Sequence, residues 1–236
     1  MQAVILAAGK GTRLAPLTDA KPKALVELGA KPLVGHVLEA FEKAGIKECT
    51  VVTGYMGEQI ENFFGNRLKK MKIVYVKQKQ QFGTAHALLQ AKKTITADFL
   101  MAHCDVIAPA AHWKALMKIK KFDAVMTLRK EDRPEQFGVV STKGKAVTEI
   151  IEKPGKPKTD LVNAGCYKFS PKIFEALEKT KINSLRREFE LTDTLKNLAA
   201  KKKVGFVLAK QKIWDISTIE DLKTAEEEIG QEDILL

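Results

Sequence analysis

The chain has 236 residues, of which 45% are hydrophobic and 29% charged, with a formal net charge of +11. That length buries a full core as one domain, or one domain with an appendage, and the composition is that of a soluble globular protein. No apolar run approaches membrane-spanning length and the N-terminus leads directly into an apolar strand, so a cytoplasmic protein with no membrane partner is expected.

The positive charge admits two kinds of partner, nucleic acids and small polyanions. Lysine clusters such as Lys69-Lys70 and Lys201-Lys202-Lys203 lack interleaved aromatics and read as solvated helix faces and ends, so no nucleic-acid partner is expected. Cys49, Cys104 and Cys166 are odd in number and form no Cys-x-x-Cys pair, which predicts reduced, buried thiols.

In chain order, Val4-Ile5-Leu6 opens a buried first strand that breaks into Ala7-Ala8-Gly9-Lys10-Gly11-Thr12-Arg13-Leu14. Two glycines let this loop approach a ligand, and Arg13 and Lys23 set two cations beside it, which together predict a polyphosphate site. It is neither a Walker loop, which needs Gly-Lys-Ser/Thr after a longer gap, nor a dinucleotide fingerprint, which needs a third glycine where Leu14 stands. Helical spacing from Leu33 to Ala44 stops at Gly45, and Cys49 to Thr53 reads as a strand. There follow a helix over Gln59 to Phe64, a strand over Ile73 to Val76, a helix over Ala85 to Lys93 and a strand over Phe99 to His103. A helix over Ala111 to Lys121 and a strand over Ala124 to Leu128 complete the series. Such repeated units imply parallel strands covered by helices on both faces.

After Arg129 the rhythm changes. Gly138 to Val140 and Ala146 to Ile151 flank Lys143-Gly144-Lys145, a predicted hairpin turn, and Lys153 to Lys158 reads as a loop. Val162 to Phe169 is a predicted strand, Pro171 to Lys179 and Leu191 to Lys202 are predicted helices, and Val204 to Ala209 is a further strand. A last helix follows Ser217-Thr218, a plausible cap. The expected fold is α/β: a Rossmann-like, doubly wound, mostly parallel mixed sheet with a small β-hairpin subregion. The expected organisation is a single domain over 1–236, with halves at 1–130 and 131–225.

The segment Leu6-Ala7-Ala8-Gly9-Lys10-Gly11-Thr12-Arg13-Leu14 with Pro22-Lys23 resembles the N-terminal motif of the sugar-1-phosphate nucleotidylyltransferases. The resemblance continues in order along the chain to about residue 225. No hexapeptide repeat is present, so the form expected lacks the β-helix acyltransferase domain of some relatives. The resemblance implies that Leu6, Ala7, Ala8, Gly9, Gly11 and Thr12 bind the nucleotide, with Arg13 and Lys23 catalytic. In Gln78-Lys79-Gln80-Gln81-Phe82-Gly83-Thr84-Ala85-His86-Ala87 it implies that Gln78, Gly83 and Thr84 read a pyrimidine base. An amide that donates and accepts together suits the imide edge of uracil, and Gly83 carries no side chain to block the base. His86 reads as a helix-packing residue.

Met101-Ala102-His103-Cys104-Asp105 ends a strand in a carboxylate suited to a hard divalent cation, although Cys104 stands where relatives have glycine. His103 beside Asp105 hints at zinc, but further ligands are lacking. Ile213-Trp214-Asp215-Ile216-Ser217-Thr218 resembles the element whose aspartate is the family's second metal ligand, with Ser217 in place of a glycine. Asp105 and Asp215 as a magnesium pair are thus implied by the resemblance alone. Phe137-Gly138-Val139-Val140, Glu149-Ile150-Ile151-Glu152-Lys153-Pro154 and Val162-Asn163-Ala164-Gly165 resemble the sugar-side elements. They imply contacts from Gly138, Glu152 and Asn163 to the sugar and from Lys153 to its phosphate.

The function so implied is Mg²⁺-dependent transfer of a nucleotidyl group from a pyrimidine nucleoside triphosphate, UTP favoured, to a hexose 1-phosphate, releasing pyrophosphate. The alternatives are a glucose-1-phosphate thymidylyltransferase, a cytidylyltransferase acting on a phospho-alcohol, or a catalytically silent nucleotide-sensing relative. A homo-oligomer stays open.

Overall fold

The computed structural model describes residues 1–229. Strand β1 (Gln2–Ala7) leads through two single 3₁₀ turns to a short ladder of β2 (Glu27–Leu28) and β3 (Lys31–Pro32), then α1 (Leu33–Ala44). Next come β4 (Glu48–Thr53), α2 (Gly57–Phe64), β5 (Arg67–Leu68), β6 (Met71–Lys77) and α3 (Thr84–Gln90). Strand β7 (Phe99–His103) is followed by β8 (Val106–Ile107), α4 (Ala110–Met117) and β9 (Ala124–Lys130). The remainder comprises β10 (Gly138–Lys143), β11 (Ala146–Glu152), β12 (Leu161–Phe169), α5 (Ile173–Glu178), α6 (Leu191–Ala200), β13 (Val204–Leu208), β14 (Trp214–Asp215) and α7 (Ile219–Ile229).

The large sheet runs β10-β11-β13-β9-β12-β7-β1-β4-β6-β5. Its nucleus, β7-β1-β4-β6, is parallel throughout, as the strand–helix alternation predicts. β1 is buried on both sides: Ala3, Ile5 and Ala7 enter the core under α1, while Val4, Leu6 and Ala8 enter the core shared with α3, α5 and α6. That two-sided burial makes the sheet doubly wound. Phe41 of α1 meets Trp113 of α4 edge-on at 4.7 Å between ring centroids. The break at Gly45 is a left-handed cap, with φ 97°.

The second half departs from simple alternation. β12 runs antiparallel to both β7 and β9, while β9 and β13 are parallel. β10 and β11 form the expected hairpin, and β10 also touches β12. The strands β10-β11-β13-β9-β12 therefore pair around in a closed ring of five. Predicted helices over Ala111 to Lys121 and Pro171 to Lys179 are shorter than expected, ending at Met117 and spanning Ile173–Glu178. The three cysteines are free and buried, as expected. Among the described residues, no helix is long and apolar enough to cross a membrane.

Candidate active site

β1 and β7 are parallel neighbours with Leu6 opposite His103, so the loops leaving their carboxyl ends start side by side. After Ala8, the backbone N–H groups of Gly9, Lys10, Gly11 and Thr12 have no acceptor among the described residues. The fully buried Leu14 anchors this loop, and the Thr18 hydroxyl donates to the Gly11 carbonyl at 3.1 Å. Gly11 is left-handed at φ 69°, and a Cβ there would lie 2.6 Å from the Lys23 Cβ. Glycine thus lets the loop rest directly on the buried turn Lys23–Leu25, which Pro22 introduces.

Lys23 lies beside the loop and is buried in an ion pair with Asp105, a partner the sequence did not show. Burial opposes its charge, yet Asp105, Cys104 and the more distant Asp215 hold the ammonium above its ordinary pKa. Burial also works against the Asp105 carboxylate, and Lys23 followed by His103 brings it below the usual range. Asp215 moves the other way: burial and then the Asp105 charge push it up, against the Ser217 hydrogen bond and the charges of Lys23 and Arg129. Arg13 is exposed and reaches Ser217 Oγ at 3.5 Å.

The ladder of β8 with β14 joins the two carboxylates. Asp215 lies opposite Val106, and the Ile216 N–H donates to the Asp105 carbonyl at 3.0 Å. Ser217 Oγ donates to Asp215 Oδ1 at 2.9 Å. Thr218 caps α7 as expected, accepting from the Asp221 N–H at 3.1 Å, while Asp221 accepts from the Ser217 and Thr218 N–H groups.

Two cavities meet at Asp105. The smaller, ≈ 450 Å³, is bordered by Leu6, Ala8, Gly9, Gly11, Thr12, Arg13, Lys23, Gln78, Gly83, Thr84 and Asp105. The larger, ≈ 990 Å³, is bordered by Asp105, Asp215, Gly138, Glu152, Lys153 and Asn163, with Arg13 and Thr84 shared. Of the residues singled out in the sequence, Ala7 alone faces elsewhere, into the core under α1. Among the described residues, no group of three or more His, Cys, Asp or Glu is placed to hold a metal ion of any kind.

The base-side residues have close neighbours of their own. Gly83 borders the smaller cavity, and a Cβ there would lie 2.6 Å from the Phe189 carbonyl oxygen, so a glycine is needed for the neighbouring backbone. Gln78 does not offer donor and acceptor together. Its Nε2 already faces the Gly83 carbonyl at 3.2 Å and His86 Nδ1 at 2.8 Å, which also makes His86 more than a helix-packing residue.

On the other side, Gly138 pairs with Glu152, and a Cβ on it would lie 3.0 Å from Glu152 Oε2. Lys153 is left-handed at φ 46° and its N–H donates to the Phe137 carbonyl at 2.9 Å. β12 bulges between Asn163 and Tyr167, where Asn163 Nδ2 donates to Tyr167 Oη at 2.6 Å. The sequence analysis missed Tyr167, Arg129 and Arg186, all of which border the larger cavity. Arg129 donates to Glu131 at 2.6 Å and to the Ile213 carbonyl at 3.2 Å. Arg186 reaches Glu152 at 3.3 Å and Glu190 at 3.4 Å. A basic pair between two helical stretches reads as solvated surface, and only the Glu190 spacing hinted at a partner.

The sheet and the cavities at its carboxyl edge define an α/β protein with a two-part cleft centred on Asp105. The chain belongs to the nucleotidyl transferase family, whose model matches residues 2–232. It is 38% identical over 205 residues to the bifunctional protein GlmU of Methanocaldococcus jannaschii, covering 86% of this chain and 48% of that one. The chain thus spans about half the length of the GlmU relatives it matches. It is 36% identical over 200 residues to the UTP–glucose-1-phosphate uridylyltransferase AglF of Haloferax volcanii, covering 83% of this chain and 82% of AglF. In fold it matches a UDP-glucose pyrophosphorylase solved with UDP-glucose, with TM-score 0.88 at 24% identity over 98% of both chains.

Proposed function

We propose that this protein transfers a nucleotidyl group from a pyrimidine nucleoside triphosphate, with UTP favoured, to a hexose 1-phosphate, releasing pyrophosphate. The carrying observation is the meeting of the two cavities at Asp105, with Lys23 on one side, Lys153 on the other and Arg13 bordering both. One cavity offers backbone N–H groups and fixed cations, which suit a triphosphate; the other offers carboxylates and amides, which suit hydroxyls. The similarity to AglF supports the same substrate classes.

A sugar phosphate is already an anionic nucleophile at neutral pH, so alignment and charge stabilisation suffice and no general base is needed. In this proposal the loop amides and Arg13 hold the triphosphate and stabilise the departing pyrophosphate. Lys153 positions the attacking phosphate, while Glu152 and Asn163 orient the sugar. Lys23, fixed by Asp105, keeps a positive charge beside the reacting phosphorus.

The carboxylates fit a divalent cation. Partial burial and then the neighbouring Asp105 charge raise Asp215, and a hard cation between the two carboxylates would relieve both. Asp105 and Asp215 would hold Mg²⁺, with phosphate oxygens completing its shell, and the ion would neutralise charge on the triphosphate. Pyrophosphate release from four nucleoside triphosphates, each paired with several sugar 1-phosphates and with or without Mg²⁺, tests the assignment. UTP and dTTP are expected above CTP and the purines; release led by ATP or GTP, or none with any sugar phosphate, refutes it.

A further inference from the structure

Gln78 is 3% exposed and borders the smaller cavity, and its amide is held at two points. A carbonyl oxygen only accepts, so the atom 3.2 Å from the Gly83 oxygen must be the amide nitrogen. The same nitrogen lies 2.8 Å from His86 Nδ1, so both amide hydrogens are spent and Nδ1 must be the bare, accepting nitrogen of the ring. No donor among the described residues reaches Gln78 Oε1.

We propose that His86 is a positioning residue for base selection: by accepting from Gln78 it locks the amide with only its oxygen available to the base. The inference rests on the proposed pyrimidine preference and takes Gln78, at the edge of the smaller cavity, as the group that meets the base. A lone acceptor pairs with the N3–H of uracil or thymine. Cytosine carries a bare N3 at that position, so two acceptors would face each other. His86 borders neither cavity and acts only through Gln78.

The competing arrangement turns the amide over. Oε1 would then accept from a protonated Nδ1, and donors suited to cytosine would face the cavity. It sets two acceptor oxygens against each other at Gly83, at the 3.2 Å now spanned by a hydrogen bond. The far side of the ring registers the difference, because His86 Nε2 lies 3.2 Å from Gln90 Nε2, which donates to the His86 carbonyl at 3.0 Å. With Nδ1 bare, Nε2 carries the proton, so the Gln90 amide nitrogen must draw away from Nε2 while it keeps its hydrogen bond to the His86 carbonyl. The tautomer of His86 therefore encodes the base edge that Gln78 presents.

Nitrogen NMR of the histidine rings in the full chain reads the tautomer directly. Alongside it, kcat/KM for UTP and CTP with one sugar 1-phosphate is measured in the unaltered protein and in His86→Ala, His86→Asn and Gln78→Ala. The expected Nδ1 signal is that of an unprotonated nitrogen. His86→Ala should lower the UTP-to-CTP ratio about tenfold, mainly through KM for UTP with kcat little changed. His86→Asn, whose amide oxygen stands near the place of Nδ1, should restore most of it. A proton on Nδ1, or a ratio that Gln78→Ala moves and His86→Ala does not, overturns the role of His86 while base recognition by Gln78 stands. A ratio that Gln78→Ala fails to move overturns both.

Discussion

The two sides of the cleft are lined by different kinds of group. On the β1 side the lining groups are mostly backbone, presented by a loop packed so tightly that a Cβ on Gly11 would meet the Lys23 side chain. On the side built from the five-stranded ring they are side chains: Glu152 at the end of β11, Lys153 just past it, and Asn163 in the bulge of β12. These partners hold one another, as Arg186 does Glu152 and Tyr167 does Asn163. A backbone site has one shape and suits the part common to every nucleoside triphosphate. A site made of side chains on a closed ring can be rebuilt by substitution without moving the sheet, which suits the part that varies.

The two aspartates at the junction give the largest expected effects. Either Asp105→Asn or Asp215→Asn should remove most turnover, since each carboxylate supports charge stabilisation worth several kcal/mol. Their stabilities should differ in sign. Asp105→Asn strands the buried Lys23 ammonium and should cost about 3–5 kcal/mol, whereas Asp215→Asn removes one of two mutually repelling carboxylates and should leave the melting point level or higher. Turnover and thermal midpoints of the two variants decide this; equal destabilisation would remove the asymmetry assigned to Lys23.

Next in size is a pair of glycines with nearly the same backbone and opposite surroundings. Gly11 has φ 69° and Gly144, in the β10–β11 turn, has φ 61°, but a Cβ on Gly144 meets nothing within 4 Å. Alanine at Gly144 should cost only the left-handed penalty of about 1–2 kcal/mol and leave kcat/KM unchanged. Alanine at Gly11 carries that penalty and also displaces Lys23, so kcat should fall with stability. Matching kinetics in the two variants would show that the loop's seat on Lys23 does not matter to the reaction.

Local rules made the first side legible and the second only in part. The apolar run of β1, the glycines of its loop and the turn at Gly144 each signal through neighbours in sequence. Thr218 likewise announces the start of α7. The ladder that joins Asp105 to Asp215 consists of two-residue strands more than a hundred positions apart, too short to show any periodicity. The same holds for the β10–β12 contact that closes the ring and for the bulge between Asn163 and Tyr167, which tertiary packing sets. The contacts of Gln78 with the Gly83 carbonyl and His86 were not legible either, because an amide's orientation depends on what surrounds it in space.

The smallest effect is expected at the seam between the two sides, where His112 of α4 meets Thr127 of β9 at 2.7 Å. Burial holds the ring neutral and lowers its pKa from 6.5 to about 4. Above pH 6.5 the folded and unfolded chains are both neutral here, so the group adds no pH dependence. Below it the unfolded chain takes up a proton that the folded one refuses, and stability falls until the folded ring also protonates near pH 4. At pH 5.5, one unit below the unfolded value, the loss should be about 1.4 kcal/mol relative to neutral pH. His112→Gln keeps a polar side chain at the seam and has nothing to titrate. Denaturant melts at pH 7.5 and 5.5 should therefore show a gap between the two proteins that changes by that amount. A gap that does not change with pH would mean that the ring titrates alike in the folded and unfolded chains, whereas a gap that changes in the opposite sense would mean that the folded ring is charged and the seam is held by a charged hydrogen bond instead of a neutral one.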